Sequence, residues 1–238
     1  AQIERLKRSD HLRRSFIANA AHDLRRPLTV IRGFIELLDE KKQIIVQAGA
    51  EPLMAAAYEA LLSEQKLVDE LFELAKLEAR ESLPKHEPLL VSSLLEVIEL
   101  SYGEQAAEKG MNLHTRCSPE DATVLADRFM IQRVLANLVE NAILHGTDAT
   151  VIEITAGQTG REIEFSIRDN GKGIPAAALP NVFEPFVRAS DEYHTGSGLG
   201  LAIVRRILEA HGSKIDVESS AGNGTCFHFR LQTAQPAS

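Results

Sequence analysis

Residue types that can do chemistry occur in four places along the chain, the first being an adjacent pair, His22 and Asp23. At about 100° per residue, His22 points roughly 170° away from the apolar stripe of its predicted helix, so we expect it in solvent. Asp23 can orient the imidazole proton and raise the nucleophilicity of the ring. Pro27 bends the same turn by removing a helical amide. The pair fits a surface nucleophile, although an ordinary solvated histidine fits the same pattern.

Two asparagines, Asn137 and Asn141, form the second place. They are four residues apart on a predicted helix, so both amides project from the same face. The functional interpretation is a pair of neutral oxygen ligands that orient Mg²⁺ and phosphate oxygens. Such an ion keeps several waters and needs few protein ligands. Surface or capping asparagines remain the plain alternative.

The third place is the segment Asp169-Asn170-Gly171-Lys172-Gly173-Ile174, which directly follows an alternating, strand-like run. The Asp169 carboxylate is expected at the end of a strand, where it can accept a hydrogen bond from an exocyclic amine such as that of adenine. Glycines let a flat ring approach the backbone closely. A simple turn fits the same residues.

The fourth place is Gly196-Ser197-Gly198-Leu199-Gly200, at the start of a predicted helix. Closely spaced glycines there expose backbone N–H groups at the positive end of the helix dipole, which favours phosphate. The spacing does not match G-x-G-x-x-G, and the chain has no G-x-x-x-x-G-K-[ST] loop, so two common nucleotide-binding folds are excluded.

Two compositional regimes carry these residues. Residues 1 to about 82 are rich in Leu, Ala and charged residues and predict two long helices with wide apolar stripes. A stretch that contains Gly49 and Pro52 separates them, so we expect an antiparallel helical hairpin. Two helices alone cannot bury such wide stripes, and a dimeric four-helix bundle is the economical solution.

From Leu83 onward, β-branched runs alternate with helical patterns, which indicates an α/β domain with helices on one face of a sheet. Prolines at 84 and 88 place the domain boundary there, giving domains 1–83 and 84–238. Strands are predicted at Asn112–Thr115, Thr123–Ala126, Val151–Thr155, Ile163–Arg168, Lys214–Glu218 and Cys226–Leu231. Helices are predicted at Ser92–Glu108, Arg128–His145 and Leu199–Ala210, each with a glycine at its end (Gly110, Gly146 and Gly212).

Composition narrows the class of protein. The 238 residues include 34 acidic and 26 basic side chains, a net charge of −8, which disfavours a nucleic-acid partner bound through bulk positive charge. Two cysteines, Cys117 and Cys226, are too few for a disulfide framework or a cysteine-rich zinc site. Because no apolar run approaches 18 residues, we expect no direct membrane contact.

Taken in order, these motifs resemble those of the sensor histidine kinases of two-component signalling. The resemblance covers nearly the whole chain. Six segments carry it: residues 16–28 (the phosphoacceptor box), 137–142 (the N box), 169–174 (the first glycine box), 183–186 (the F box), 196–200 (the second glycine box) and 222–225 (the closing G-x-G-T turn).

The resemblance implies a dimerisation and phosphoacceptor hairpin, followed by the Bergerat or GHKL α/β sandwich that gyrase, heat-shock protein 90 and mismatch-repair ATPases share. In this family Asp169 would read the adenine amine, Asn141 would hold Mg²⁺ and Asn137 would help to position the phosphates. The implied ATP site comprises Asn137, Asn141, Asp169, Gly171, Lys172, Gly173, Phe183, Phe186, Arg188, Gly196, Gly198, Leu199, Gly200 and Thr225.

The resemblance also implies a reaction. His22 would take the γ-phosphoryl group of ATP with Asp23 as general base, and pass it to an aspartate of a response-regulator receiver domain. Residues 175–195 would form a mobile lid, anchored by Phe183 and Phe186, with Arg188 near the phosphates. We expect a homodimer, and the cytoplasmic portion of an inner-membrane sensor whose N-terminal part precedes this sequence.

Three departures from the family pattern carry expectations of their own. Arg26 stands where Thr, Ser or Asn is common, so weak phosphatase activity is expected because arginine cannot accept a hydrogen bond. Leu144 replaces a common Lys or Arg, and the lid is acidic at residues 191–192, so either low ATP affinity or compensation by Lys172 or Arg188 is expected. The segment Leu83–His86 is the expected hinge between the domains.

Two other functions compete with the kinase. A catalytically impaired nucleotide-binding scaffold of the same fold would bind ATP without transferring phosphate, which the leucine at 144 and the acidic lid favour. An ATPase clamp is disfavoured, since Asn137 stands where such enzymes carry a water-activating glutamate, and an amide cannot act as that base.

Overall fold

The computed structural model describes residues 33, 51–78, 83–146, 148–187 and 196–234. The chain divides into two compact units, Ala1–Glu73 and Leu74–Ser238. Among the described residues, no helix combines the length and apolarity that crossing a membrane requires.

A long helix, α1 (Glu51–Glu78), confirms the prediction for the second helix of the first regime. Its last turn, from Leu74 onward, belongs to the second unit. The predicted domain boundary at residues 83 and 84 lies further along the chain, in the linker between α1 and β1 (residues 79–86), and stays a prediction. The first helix of the predicted hairpin lies outside the described residues, apart from Gly33, which is helical.

The second unit is an α/β sandwich, as predicted. In chain order its elements are β1 (Glu87–Leu90), α2 (Val91–Glu108), β2 (Asn112–Ser118), β3 (Thr123–Ala126), α3 (Arg128–His145), β4 (Val151–Thr159), β5 (Glu162–Asp169), a short 3-10 helix (Leu179–Asn181), α4 (Gly200–Ala210), β6 (Ile215–Ser219) and β7 (Thr225–Gln232). Five strands form a sheet in the order β2-β4-β5-β7-β6, and β1 pairs with β3 in a small second sheet. Only β2 and β4 run parallel among these pairs.

Each predicted strand and each predicted helix of the second regime is present, with ends that differ by at most four residues. Strand β1 was not predicted. Its sequence contains Pro88 and is only four residues long, so its pattern indicates a linker rather than a strand. Proline is tolerated there because β1 pairs with β3 alone and forms the edge of its sheet.

The core lies between the sheet and the helices. Residues alternate between buried and partly exposed along β5, and Ile163, Phe165 and Ile167 lie on its buried face. Phe165 is paired with Phe229 of β7, and the two rings are stacked with centroids 4.8 Å apart. Because both phenyl rings are almost completely buried, this pair lies at the centre of the core.

Helices α3 and α4 pack side by side in opposite directions. Near the start of α3, the Asp127 amide donates to the imidazole of His211, which follows the end of α4. Further along α3, the Asn137 side chain donates to the carbonyl of Gly200 at the start of α4. The two contacts show that the helices are antiparallel.

A close backbone approach fixes the turn between β6 and β7. Gly224 has a φ of +75°, and a Cβ atom built on it overlaps the carbonyl oxygen of Asp169 at the end of β5. Gly222, two residues earlier, has a φ of +81° but has open space where its Cβ would lie. Gly224 is therefore required for close packing as well as for its backbone conformation.

We expect Phe165→Ala to destabilise the second unit by about 3–5 kcal/mol, because the substitution removes a buried ring and leaves a cavity beside Phe229. Phe129→Ala is the matched control, since that ring is 80% exposed, and its effect should stay within about 0.5 kcal/mol. Urea unfolding followed by circular dichroism measures both. Equal losses of stability would contradict the assignment of the core.

Gly222→Ala and Gly224→Ala separate backbone strain from close packing. Both place an alanine at positive φ, which costs about 1–2 kcal/mol. Only Gly224→Ala also forces a methyl group into the backbone of Asp169, which adds about 1–3 kcal/mol. The same measurement should give Gly224→Ala a clearly lower free energy of unfolding than Gly222→Ala. Equal free energies of unfolding would show that the close backbone approach is unimportant.

Candidate functional site

The candidate site is formed around the carboxylate of Asp169, the last residue of β5. Asp169 is only 9% exposed, and its Oδ1 accepts a hydrogen bond from the Gly171 amide at 2.9 Å. Burial raises the pKa of this carboxyl, while the amides of Gly171 and Thr225 and the charge of Arg168 lower it in part. A carboxylate has about four lone-pair sites, so these two bonds leave room for a further donor.

Backbone contacts hold the glycines that follow Asp169 in place. A Cβ on Gly171 would lie 2.8 Å from the Cα of Gly146, which ends α3. A Cβ atom on Gly173, which has a φ of +72°, would overlap the carbonyl oxygen of Ser220. Glycine at these positions lets the turn after β5 lie against both the end of α3 and the segment after β6.

The motif at 169–174 and the G-x-G-T turn are joined by one hydroxyl group, that of Ser219. It accepts a hydrogen bond from the Ile174 amide at 2.7 Å and donates to the Gly224 carbonyl at 2.8 Å. The Thr225 hydroxyl lies 3.1 Å away. In addition, the Gly222 amide donates to the Lys172 carbonyl. The structure thus brings Gly171, Lys172, Gly173 and Thr225 together beside Asp169.

The two asparagines of α3 differ in environment. Asn137 is 3% exposed, and its Nδ2 donates to the Gly200 carbonyl at 3.3 Å. One turn later, the Nδ2 of Asn141 is buried without a hydrogen-bond partner. An orphaned buried amide is costly in a finished core but is expected where a ligand completes the site.

A glycine loop leads into α4. Gly196 and Gly198 have φ values of +107° and +71°, and the Ser197 hydroxyl accepts from the Leu199 amide at 3.0 Å. Leu199 is fully buried and fixes the start of the helix. The loop therefore presents the backbone amides at the positive end of α4, a geometry that suits an anion.

The residues of the F box contact this loop and the sheet. The Phe183 ring lies edge-on to Phe227 of β7, with centroids 6.2 Å apart. Phe186 has a φ of +63°, and its amide donates to the Gly198 carbonyl at 2.8 Å. A positive φ on a phenylalanine is a strained conformation that persists only where neighbours enforce it. Both predicted anchors thus lie beside the glycine loop or the sheet.

Three predicted site residues, His22, Asp23 and Arg188, lie outside the described residues. Residues 188–195 of the predicted lid and the acidic pair at 191–192 do so as well. The remaining predicted residues, in α3, the turn after β5, the F box, the glycine loop and the G-x-G-T turn, belong to the second unit.

Sequence reasoning missed three residues that position the site. Ser219 joins two turns, and only the register of β6 with β7 reveals it. Arg205 of α4 forms an ion pair with Glu184 of the F box at 3.0 Å. His145, the last residue of α3, has its Nε2 3.8 Å from where a Cβ of Gly196 would lie. The sequence signal that could have identified His145 was its position directly after Leu144, a leucine that stands where the family commonly has Lys or Arg.

Among the described residues, no three His, Cys, Asp or Glu side chains cluster in a way that would hold a metal ion. The amides of Asn137 and Asn141 are neutral oxygen donors of the kind that Mg²⁺ accepts when phosphates and water complete its shell. The unpartnered atom of Asn141 is Nδ2, an N–H donor that fits a phosphate oxygen rather than the ion itself.

This arrangement has two chemically distinct ends. The Asp169 carboxylate can accept from the exocyclic amine of a base, and the amides of the loop before α4 can bind phosphate. Asn137 lies against that loop. A base acceptor and a phosphate cradle within one small domain are the requirements of a nucleotide site.

Comparison with known families agrees with this geometry. Residues 126–235 match the family "Histidine kinase-, DNA gyrase B-, and HSP90-like ATPase", and residues 12–80 match the "His Kinase A (phospho-acceptor) domain". The first match begins one residue before the N-cap of α3 and covers Asp169, the glycine loop and the G-x-G-T turn.

Individual relatives point the same way. Sensor protein DivL of Caulobacter vibrioides is 30% identical over 232 residues, which is 97% of this chain and 30% of DivL. The chain spans about a third of the length of the curated relatives it matches. Histidine kinase ThkA, solved in complex with response regulator protein TrrA, has a TM-score of 0.76 and 25% identity over 98% of this chain and 67% of that one. Full-length ShkA, solved in complex with AMPPNP, has a TM-score of 0.70 and 29% identity over 94% of this chain and 47% of that one.

The motif order, the α/β sandwich with its site and both family matches lead to one conclusion. The chain belongs to the sensor histidine kinases of two-component signalling, of which it contains the His Kinase A domain and the ATP-binding domain.

Proposed function

We propose that this chain is an ATP-dependent protein-histidine kinase that phosphorylates itself on His22 and passes the phosphoryl group to an aspartate of a response regulator. The observation that carries the proposal is the site around Asp169, in which a buried acceptor and a helix-terminal glycine loop occur in one domain. That domain follows a phosphoacceptor domain in the same chain.

In the proposed site, the adenine amine donates to the Asp169 carboxylate, and the phosphates lie at the amides of Gly198 and Gly200. Asn141 would hold Mg²⁺, which supplies neutralisation of phosphate charge when it is bound, and Asn137 would help to position the ion and the phosphates. The orphaned Nδ2 of Asn141 is a hydrogen-bond donor, which fits a phosphate oxygen beside that ion, while its Oδ1 would face the ion. The complex of ShkA with AMPPNP shows that a relative binds an ATP analogue.

The proposed reaction is an in-line displacement. A ring nitrogen of His22 attacks the γ-phosphorus, the bond to the bridging β–γ oxygen breaks, and ADP leaves. Asp23 accepts the ring proton. Catalysis in such transfers depends on positioning and charge neutralisation more than on covalent help.

Asn137 has a second consequence in this proposal. It is tied to Gly200 by its amide N–H group, so its role is to fix the glycine loop relative to α3. An amide cannot take a proton from water, so ATP hydrolysis should be slow and the phosphoryl group kept for the histidine.

We also propose the setting of the reaction. The phosphoacceptor hairpin, residues 1–83, would pair with that of a second copy in a four-helix bundle. Two large apolar side chains of α1, Leu62 and Phe72, are 44% and 63% exposed in the single chain, which supports such a partner. The complex of ThkA with TrrA supports a receiver domain as the phosphoryl acceptor. Attachment to a membrane sensor belongs to the same proposal. So does weak phosphatase activity, because Arg26 stands where Thr, Ser or Asn is common in the family.

The kinase proposal is tested by incubating the chain with γ-³²P-ATP and Mg²⁺. We expect a label on the protein that is stable in base and lost in acid, as a phosphohistidine is. His22→Gln should abolish the label, whereas His114→Gln, which changes an exposed histidine of β2, should retain it. Adding a receiver domain should move the label from the chain to that domain.

Two outcomes would overturn parts of this proposal. A label that survives His22→Gln would refute the site of phosphorylation. Binding of ATP with no label on the wild-type chain would instead favour the nucleotide-binding scaffold, for which the 41% exposed Leu144 at the end of α3 is the supporting observation.

Asp169→Asn should weaken ATP binding about 10- to 100-fold, since a hydrogen bond to a charged acceptor is worth about 1.5–3 kcal/mol. The variant should also lose the preference for ATP over GTP, because guanine has a carbonyl where adenine has the amine. Titration with a fluorescent nucleotide analogue measures both effects. Asp121→Asn, in the exposed turn between β2 and β3, is the control and should bind like wild type.

The pH dependence has a defined sign. Because burial raises the pKa of Asp169, protonation begins at a higher pH than for an exposed aspartate. ATP affinity should therefore fall as the pH drops through this raised pKa. The stability of the nucleotide-free chain should change in the opposite sense at this residue, since protonation removes a buried charge. If Asp169→Asn binds ATP as tightly as the wild-type chain, or keeps the wild-type preference between ATP and GTP, the assignment of Asp169 to adenine is refuted.

A further inference from the structure

The linker between the two proposed domains enters the second unit beside Asp127, a residue that the proposed chemistry does not use. Asp127 is the N-cap of α3, and its Oδ1 accepts a hydrogen bond from the Met130 amide at 3.1 Å. The residue is 9% exposed. A capping aspartate of this kind stabilises the start of the helix that carries both asparagines of the site.

The other oxygen of the same carboxylate holds the linker. Oδ2 of Asp127 accepts a hydrogen bond from the Lys85 backbone amide at 2.9 Å. Burial alone would raise the pKa of Asp127, but the amides of Lys85, Met130 and Phe129 outweigh it and the pKa is lowered. The carboxylate is therefore ionised at neutral pH, and hydrogen bonds to an ionised acceptor are the stronger kind.

The end of α4 meets the same residue. The Asp127 amide donates to Nε2 of His211 at 3.1 Å, and Nδ1 of His211 lies 2.8 Å from the Ile207 carbonyl. Nε2 acts as the acceptor, so the ring proton is on Nδ1 and is donated to Ile207. Linker residue His86 lies edge-on to this ring, with centroids 5.4 Å apart.

A second contact joins α1 to α4 one turn before His211. Arg206 pairs with Glu78, the last residue of α1, at 3.2 Å, and with Glu209 at 2.9 Å. Glu78 and Lys85 bracket the linker, and both belong to the second unit. The linker is thus fastened at each of its ends to the pair of helices α3 and α4.

The docking point and the nucleotide site lie at opposite ends of this helix pair. Asp127 precedes α3, whereas Asn137 lies about 15 Å further along its axis at 1.5 Å per residue. Likewise, α4 begins at the glycine loop and ends before His211. The linker is therefore docked on the same helices that position the nucleotide, but at the end of the pair that is remote from the nucleotide.

We propose that Asp127 is a positioning residue that docks the linker through the Lys85 amide and so sets how the ATP-binding unit is presented to the phosphoacceptor histidine. The inference rests on the proposed kinase function. A docked linker limits the orientations of the ATP-binding unit, so less orientational freedom is lost when ATP and His22 meet. Undocking should slow phosphoryl transfer without weakening nucleotide binding.

A substitution at position 85 isolates this contact. Lys85→Pro removes the amide N–H group and leaves Asp127 free to cap α3. Lys85→Ala is the matched control, because it truncates the exposed side chain but keeps the amide. Three quantities are measured in the full chain: the autophosphorylation rate at saturating ATP, the dissociation constant of a fluorescent ATP analogue, and hydrogen exchange of the peptide that contains residue 85.

We expect Lys85→Pro to lower the autophosphorylation rate about tenfold with an unchanged nucleotide dissociation constant. Lys85→Ala should match wild type in both. An unchanged or a faster rate in Lys85→Pro would overturn the proposal, since the contact would then be idle or would act as a brake. A parallel loss of nucleotide affinity would also overturn it, because the contact would then serve only the fold of the unit.

Hydrogen exchange separates this inference from the kinase proposal. Protection of the Lys85 amide in wild type, and faster exchange at the neighbouring linker amides in Lys85→Pro, report docking whether or not the chain transfers phosphate. If wild type shows protection but no autophosphorylation, the kinase proposal fails and so does the role assigned to docking. If wild type phosphorylates itself but the Lys85 amide exchanges freely, only the docking proposal fails.

Discussion

The site depends on backbone segments that approach each other more closely than any side chain allows. At the end of β5, the carbonyl of Asp169 lies where a Cβ of Gly224 would be, and Gly171 lies against Gly146. These approaches bury the Asp169 carboxylate beside two amides. Burial of a carboxylate costs free energy unless hydrogen-bond donors surround it. The glycine turns cause this burial, and they also bring two donors, the amides of Gly171 and Thr225, to the carboxylate. An incoming amine supplies the donor that remains.

The antiparallel pair of helices α3 and α4 extends this local arrangement across the unit. At one end of the pair, Asn137 contacts Gly200 and the glycine loop presents its amides. At the other end, Asp127 and His211 are hydrogen-bonded to each other beside the linker. The chemistry of the site and the path of the linker are therefore properties of the same two helices. In the docking proposal, this connection is the route by which a residue remote from the nucleotide affects the transfer.

Much of this could be predicted from residue spacing. The strands and helices of the second unit follow from period-2 and period-3.6 patterns. Strand β1 could not be predicted, because a short segment with Pro88 becomes a strand only through its partner β3. The roles of Ser219 and Arg205 depend on register and on loop packing, which join residues far apart in sequence. His22 and Asp23 remain predictions from motif and family alone.

In the proposed site, Asp169 binds the base and the loop before α4 binds the phosphates of the same nucleotide. A crystal structure of this chain with a non-hydrolysable ATP analogue and Mg²⁺ would show both contacts. We expect the exocyclic amine of adenine within hydrogen-bonding distance of the Asp169 carboxylate, and the phosphates at the amides of Gly198 and Gly200. A nucleotide bound elsewhere, or one whose adenine does not contact Asp169, would refute the proposed site.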